Sequence, residues 1–246
     1  MTRVAIITGG SRGIGAACAR LAAARGFAVA VNYASNEAAA RELVDTIRAT
    51  GGVAEAIQAD IGVPDEVERL FAETDRRLGP CVALVNNAGI IGGRMGKVES
   101  FDAAALERLF AVNVIGAILC ATAAAARMRT LGGGAVVNIS SVAATLGGAN
   151  AWVPYGATKG AIDSLTIGLS REWAGQNIRV NAVAPGLIDT EIHAAAGARD
   201  RAEAALAQVP MRRFGTAEEV AETVVWLMAD APGYLTGAVI PIGGGR

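Results

Sequence analysis

The sequence predicts an α/β fold: a single domain of 246 residues built on one doubly wound, seven-stranded parallel sheet with helices on both faces. Three observations support this prediction. Short β-branched runs alternate with longer alanine-rich segments along the whole chain, which is the pattern of a parallel sheet with crossover helices. The strand candidates are apolar at most positions, as strands covered on both faces are. No linker or low-complexity segment divides the chain, so we expect one domain over residues 1–246.

Seven strands and six helices follow from this alternation. The predicted strands cover residues 3–8, 27–33, 53–59, 81–86, 135–140, 178–184 and 238–242. The predicted helices cover residues 13–25, 36–49, 65–78, 101–130, 155–174 and 216–229. Segment 186–215 fits neither pattern and is too long for an ordinary connection, so we expect it to form a lid. Ligands of such sheets bind outside the carboxyl ends of the strands.

Composition and charge argue against several classes of function. The net charge is −1 and no basic block occurs, so we expect no nucleic-acid partner. The first residues lack a signal-peptide layout, and the longest apolar run, 111–126, is shorter than a membrane span, so we expect a cytoplasmic protein without a membrane partner. Cys18, Cys81 and Cys120 fit no metal or disulfide spacing, and His193 is the only histidine, so we expect no metal site.

The first predicted strand runs into a glycine-rich turn, TGGSRGIG, at residues 8–15. Gly9, Gly13 and Gly15 permit a tight turn, a close backbone approach to a pyrophosphate and close packing of helix on strand. The helix that starts here offers free N–H groups and the positive end of its dipole to a phosphate. The turn therefore predicts a dinucleotide site, although a merely structural turn is the alternative.

A second motif, WVPYGATKG, places Tyr155 four residues ahead of Lys159. In a helix the two side chains share one face, and a neighbouring ammonium lowers the pKa of a phenol from its ordinary value of about 10. The chain contains 20 arginines but only two lysines, so a lysine at this place argues against an arbitrary surface cation. The spacing thus predicts a tyrosine acid/base, with an interfacial tyrosine beside a surface lysine as the alternative.

These motifs, together with NNAG at residues 86–89 and a serine before the tyrosine, resemble the short-chain dehydrogenase/reductase family in kind and order, over essentially the whole chain. The resemblance implies a Rossmann fold and an NAD(P)-dependent enzyme that interconverts a secondary alcohol and a ketone. It implies a catalytic set of Asn113, Ser141, Tyr155 and Lys159. Asn113 would hold a water in a proton relay, and Ser141 would polarise the substrate oxygen.

The same resemblance implies a set of cofactor contacts. Asp60 would meet the adenine ring, the NNAG segment would shape the adenosine side, and residues 185–190 would cradle the nicotinamide amide. Lys159 would hold a ribose. The full set expected to bind the cofactor is Gly9, Ser11, Arg12, Gly13, Ile14, Gly15, Asn32, Tyr33, Ser35, Asp60, Ile61, Asn87, Ala88, Gly89, Tyr155, Lys159, Pro185, Gly186, Ile188 and Thr190.

Two of these roles have an alternative in the sequence itself. Asp60 precedes a glycine and a proline, so its carboxylate could serve a turn or a helix cap. Ser140 and Ser141 are both candidates for the catalytic serine. The family serine usually lies thirteen residues before the tyrosine, whereas Ser141 lies fourteen before it. We favour Ser141 and attribute the difference to a loop that is one residue longer.

The end of the second predicted strand indicates the cofactor. NAD sites usually carry an acidic residue there, but this strand ends in VNYASN, and no carboxylate appears before Glu37. Asn32 and Ser35 offer amide and hydroxyl donors, and Arg12 could reach a 2′-phosphate. We therefore expect NADP(H) to be preferred over NAD(H).

Substrate and assembly are expectations from the same resemblance. Gly132 and Gln176 stand where carrier-protein reductases have basic residues, which favours a small free carbonyl or sugar-like substrate over a 3-oxoacyl-carrier protein. A nucleotide-sensing protein without catalysis is the alternative of another class, but it would not need the four catalytic residues. The apolar helices 101–130 and 155–174 predict a homo-oligomer, with a tetramer as the expected form.

Overall fold

The computed structural model describes residues 2–92, 96–190 and 205–246. Its strands β1 to β7 span Arg3–Ile7, Phe27–Tyr33, Val53–Gln58, Cys81–Asn86, Gly134–Ile139, Ile178–Pro185 and Val239–Ile242. Its helices α1 to α8 span Gly13–Ala24, Glu37–Ala49, Pro64–Arg77, Ala103–Phe110, Ala117–Thr130, Ala143–Leu146, Val153–Trp173 and Ala217–Ala229. Short 3₁₀ turns lie at Val98–Ser100, Ala174–Gln176 and Leu206–Gln208.

All seven strands belong to one parallel sheet in the order β3-β2-β1-β4-β5-β6-β7, which confirms the predicted fold class. The strand order reverses between β1 and β4: Ile7 pairs with Val31 on one side and with Val85 on the other. The crevice outside the carboxyl ends of these central strands is the place where such sheets bind ligands.

Helices cover both faces of the sheet because successive strand residues point to opposite sides. On β1, Val4 and Ile6 belong to the core beneath α3 and α5, whereas Ala5 and Ile7 belong to the core beneath α1, α2 and α8. Alanines supply much of the buried helix surface, so the helices can approach the strands closely. The many alanines of the chain therefore serve the two helix–sheet interfaces.

The predicted helix 101–130 is interrupted where a π-helical segment, Ala111–Gly116, joins α4 to α5. Such bulges occur mostly as single turns inside α-helices and often at functional sites. Measured over Ala103–Thr130, the helix is long and apolar enough to cross a membrane, which corrects the expectation drawn from the shorter apolar run. Half of its most apolar window is buried in the fold, as in the core helices of many proteins that span no membrane.

The predicted lid, 186–215, falls partly outside the described residues, and so does His193. The described ends of this segment are joined by a bridge between Ile188 and Gly215. Gly215 donates its N–H to the carbonyl of Leu187 and accepts from the N–H of Asp189, both at 2.9 Å. The two ends of the segment therefore lie side by side, one just after β6 and the other just before α8.

Candidate active site

The glycine turn after β1 has a shape that requires glycine. Gly9 and Gly13 have φ angles of +58° and +51°, which side chains disfavour. Gly15 is packed so tightly that a Cβ would lie 2.4 Å from the carbonyl oxygen of Gly9 and 2.5 Å from Nδ2 of Asn87. α1 begins at Gly13, and its N-cap residue, Arg12, forms no side-chain capping bond to the first turn. The first-turn N–H groups therefore lack a capping side chain, as a phosphate site requires.

Thr8 and Asn87 join the carboxyl ends of β1 and β4. The Thr8 hydroxyl accepts from the N–H groups of Asn87 and Ala88, each at 3.0 Å. Asn87 Nδ2 donates to the carbonyl oxygens of Thr8 and Gly9, each at 2.9 Å. These bonds fix the glycine turn against the segment predicted to shape the adenosine side. Sequence reasoning assigned no role to Thr8, although its place directly before the first glycine was the available signal.

At the end of β2, the structure differs from the expectation for Asn32. The Asn32 side chain is 1% exposed; it accepts from the N–H of Gly9 at 3.1 Å and donates to the carbonyl of Ala59 at 2.9 Å. Its amide therefore holds the glycine turn to β2 and β3, and it does not face a 2′-phosphate as predicted. Tyr33 is half-buried and Ser35 is exposed at the same strand end. The difference arises because β2 lies between β1 and β3, where the glycine turn and the residue after β3 supply the partners of the Asn32 amide.

Asp60 and Ile61 follow β3. The Asp60 carboxylate accepts from the N–H of Gly62 at 2.9 Å and pairs with Arg108 at 2.6 Å. The bond from Gly62 is the turn contact that the alternative interpretation requires, and the ion pair joins the turn to α4. The adenine role of Asp60 stays a prediction. The Ile61 side chain is 3% exposed in the core, so only its backbone can face a ligand.

The two serines at the end of β5 have different surroundings. Ser141 forms a side-chain hydrogen bond with Tyr155, at the start of α7. Its hydroxyl also accepts from the N–H of Ala143 at 3.1 Å. Ser140 is 2% exposed and lies between β5 and α7, where its Oγ is 3.3 Å from the carbonyl oxygen of Lys159. The geometry therefore brings Ser141, and not Ser140, to the tyrosine hydroxyl.

Lys159 is 4% exposed and donates from Nζ to the carbonyl of Ile139 at 2.7 Å. Its Nζ lies 5.6 Å from the centroid of the Tyr155 ring. Burial raises the pKa of Tyr155 to about 12, while the hydrogen bond from Ser141 lowers it. Burial also lowers the pKa of Lys159 to about 8, against the attraction of Asp163. The predicted fall in the tyrosine pKa is therefore wrong for this structure, because burial of the phenol raises its pKa more than the hydrogen bond with Ser141 lowers it.

Asn113 lies in the π-helical segment and is 2% exposed. Its Oδ1 accepts from the N–H of Ile90 and its Nδ2 donates to the carbonyl of Ile90, both at 2.8 Å. Nδ2 also donates to the hydroxyl of Thr158 on α7 at 3.1 Å. The amide thus ties the segment after β4 to the tyrosine helix. A role for its side chain in holding a water stays a prediction. A bound water would have to share the amide with these three hydrogen bonds.

The segment after β6 lies against the glycine turn. Pro185 accepts at its carbonyl from the N–H of Val142, and Gly186 donates to the carbonyl of Ile242. Ile188 is buried, and the side chain of Thr190 lies 3.3 Å from the position a Cβ on Gly13 would take. A cavity of about 410 Å³ opens beside the turn rather than at Tyr155; its lining includes Ser11, Arg12, Gly13, Thr216, Ala217 and Glu218.

Known proteins resemble this chain over nearly its full length. A family model described as enoyl-(acyl carrier protein) reductase matches residues 9–246. A solved short-chain dehydrogenase/reductase from Serratia marcescens is 33% identical, with a TM-score of 0.92 over 99% of this chain and 97% of that one. The chain belongs to the short-chain dehydrogenase/reductase family. It is therefore an NAD(P)-binding oxidoreductase that acts on CH–OH groups.

Other relatives in the short-chain dehydrogenase/reductase family differ in what their names state. The uncharacterized oxidoreductase YgfF of Escherichia coli is 47% identical and covers 99% of both chains. The 3-oxoacyl-[acyl-carrier-protein] reductase FabG of Staphylococcus aureus is 37% identical over 100% of this chain and 98% of its own. A blue fluorescent protein from a metagenomic library, solved in complex with NADPH, is 36% identical with a TM-score of 0.91, over 99% of this chain and 97% of its own.

The longer serine–tyrosine loop is the point where this short-chain dehydrogenase/reductase departs from the usual spacing. The loop forms the short helix α6, which sequence reasoning missed, and then turns through Gly147 and Gly148 in the left-handed region. A Cβ on Gly148 would lie 2.9 Å from the backbone of Trp152, so the turn is packed against the residue that precedes α7. With this loop between them, Ser141 still forms a hydrogen bond with Tyr155.

Proposed function

We propose that this protein is an NADP(H)-dependent oxidoreductase that interconverts a secondary alcohol and a ketone, with Tyr155 as the acid/base and a small free carbonyl or sugar-like compound as substrate. One observation carries the proposal. The Tyr155 hydroxyl is hydrogen-bonded to Ser141 at the carboxyl end of β5, one helical turn from the buried Lys159. These groups share the sheet edge that also carries the glycine turn.

Tyr155 holds its proton at neutral pH, because burial raises its pKa to about 12. It is therefore set to donate a proton to a carbonyl oxygen that gains negative charge, while Ser141 hydrogen-bonds the same oxygen. The neutral phenol is the form that donates a proton in carbonyl reduction, whereas alcohol oxidation requires the phenolate. The Lys159 ammonium stabilises negative charge near the phenol and would hold a ribose.

The residues present fit a dinucleotide. The glycine turn leaves no room for Cβ atoms at Gly9 or Gly15, and the uncapped first turn of α1 suits a pyrophosphate. When bound, the nicotinamide supplies the hydride, and the protein supplies orientation. The N–H groups at residues 13–15 would hold the pyrophosphate, and residues 87–89 would line the adenosine side. Residues 185–190 would hold the nicotinamide amide.

The preference for NADP(H) rests on the end of β2. β2 ends at Tyr33, and Glu37, the first acid after it, begins α2, where it pairs with Arg41 at 2.6 Å. Arg12 is exposed at the N-terminus of α1, beside the turn. Because Asn32 faces inward, the preference is carried by the missing acid, by Ser35 and by Arg12.

Both cofactors should be compared directly. We expect kcat/KM to be higher with NADPH than with NADH, and Arg12→Ala to reduce that ratio. Arg76→Ala, which removes an exposed arginine paired with Glu73 on α3, is the control and should leave the ratio unchanged. A clear preference of the wild-type enzyme for NADH refutes the assignment. So does an Arg12→Ala variant with an unaltered ratio.

A 3-oxoacyl-carrier-protein reductase is the second candidate. The sequence identity to a FabG protein favours this candidate. Arg129 favours it as well, because its guanidinium donates to Gln176 and so places a cation beside a position where we expected no basic residue. A panel of free ketones, sugars and 3-oxoacyl thioesters, each with and without a carrier protein, separates the two. If kcat/KM is much higher for the carrier-bound substrate than for the same free thioester, the second candidate is correct and our assignment is refuted.

We also propose that residues 1–246 act as one domain whose segment 186–215 covers the substrate, and that the enzyme is a cytoplasmic homotetramer. Several apolar side chains support the assembly, since they stay exposed on the helices expected to form the interface. They include Phe110 at 38%, Ile115 at 50%, Ile118 at 38% and Ile167 at 40%.

A further inference from the structure

Asp163 lies one helical turn beyond Lys159 on α7 and has no part in the chemistry derived above. Tyr155, Lys159 and Asp163 are spaced by four residues, so they follow one face of the helix. Oδ1 of Asp163 is buried and, among the described residues, has no hydrogen-bond partner. A buried carboxylate oxygen without a donor is costly, so an attraction has to compensate for it.

The compensation comes from the junction of β5 and α7. The Ser140 hydroxyl and the Lys159 charge both lower the pKa of Asp163, against the burial that raises it. Lys159 in turn donates from Nζ to Ile139, the residue before Ser140. The end of β5 thus contacts both members of the charged pair.

Among the described residues, the remaining neighbours of Lys159 are neutral. Tyr155 lies on its own helix. The Cβ position of Gly89, after β4, is 3.6 Å from Nζ and 3.5 Å from the amide oxygen of Asn113. Within the part of the chain that the structure describes, Asp163 is the charged group that raises the pKa of Lys159, against the burial that lowers it to about 8.

We propose that Asp163 is a positioning residue: it keeps the buried Lys159 ammonium charged and, with Ser140, holds it at the end of β5 beside Tyr155. The effect on turnover rests on the proposed function, whereas the charge of Lys159 can be measured without substrate. Removal of the carboxylate leaves burial unopposed, so Lys159 loses its proton at lower pH. Below the pKa of Asp163 the wild-type carboxyl is neutral, so the charge next to Lys159 is then the same as in a variant that lacks the carboxylate.

The composition of the chain makes the measurement direct. Lys97 and Lys159 are the only lysines, so protein labelled with ¹³C at the lysine ε carbon gives two signals, assigned with Lys97→Arg. We expect the wild-type Lys159 signal to titrate near pH 8, and that of Asp163→Asn to titrate lower by about one pH unit or more. Glu172→Gln removes an exposed carboxylate from the same helix and should leave the Lys159 signal unchanged.

An unchanged Lys159 titration in a folded Asp163→Asn variant overturns the proposal. If that variant does not fold, the wild-type protein still provides a test, because the Lys159 signal should show a second, smaller inflection on the acid side as Asp163 gains a proton. The absence of that inflection also overturns the proposal.

Turnover provides a separate readout. The alkaline limb of kcat/KM should move to lower pH in Asp163→Asn and return towards wild type in Asp163→Glu. A shifted Lys159 titration in a protein that reduces no carbonyl compound refutes the proposed function alone. An unshifted titration in an active reductase refutes only the role of Asp163.

Discussion

Gly15→Ala tests whether the packing of the glycine turn determines cofactor binding. The added methyl would lie 2.4 Å from the carbonyl oxygen of Gly9 and 2.5 Å from Nδ2 of Asn87. To reach 3.0 Å, a separation below which Cβ contacts essentially do not occur, the Gly9 carbonyl would have to move by about 0.6 Å. That movement strains the turn and disrupts the bond from Asn87 to Gly9.

Overpacking costs about 1–3 kcal/mol and a lost hydrogen bond about 1 kcal/mol. We therefore expect the free energy of unfolding in urea to fall by about 2–4 kcal/mol. The dissociation constant for NADPH, measured by fluorescence titration, should rise about tenfold or more, because the displaced turn no longer matches the phosphates.

Gly175→Ala is the matched control. A Cβ there meets nothing within 4 Å, so stability and NADPH binding should remain close to wild type. The reasoning is refuted if Gly15→Ala binds NADPH within about twofold of the wild-type protein and unfolds at the same urea concentration.

Three further outcomes are expected. Tyr155→Phe removes only the hydroxyl, so NADPH binding should persist while kcat falls by about a hundredfold or more; retention of a tenth of kcat would exclude the tyrosine as the acid. Lys159 has a pKa of about 8 in the folded protein, against an ordinary value of 10.5, so between these pH values the unfolded chain holds a proton that the folded protein has lost. Stability should therefore rise with pH in that window. The stability of the wild type relative to Lys159→Met should increase by about 3 kcal/mol across that window, and a difference independent of pH contradicts the assignment. Ile115→Asp should dissociate the proposed oligomer in light scattering, and a wild-type protein that is monomeric at micromolar concentration refutes the assembly.

Local patterns were sufficient to predict the fold and the main motifs. The alternation of apolar strands and alanine-rich helices predicted all seven strands to within a residue or two, because the periods of strand and helix are properties of the backbone. The turn at residues 8–15 was predictable for the same reason, since its glycines act on their own backbone. The four-residue spacing of Tyr155 and Lys159 likewise fixes their shared helix face.

Side-chain direction at the strand ends was decided only by the tertiary structure. Ser140 and Ser141 are chemically identical, and alternation alone does not say which one meets a helix that starts twelve residues later. Asn32 was read as a donor to the cofactor, but the packing of β1, β2 and β3 turns its amide inward. Its partners are distant in the sequence, so no local pattern indicates them.

The protonation of the site was also decided by the tertiary structure. The sequence put a lysine beside a tyrosine and so predicted a lowered phenol pKa, yet burial raises it to about 12. Proximity along a helix follows from spacing, whereas desolvation depends on every element packed around the hydroxyl. The sequence by itself therefore determined the parallel sheet and the shared helix face of Tyr155 and Lys159, whereas only the assembled fold decided which side chains at the strand ends face the site and which protonation state Tyr155 has there.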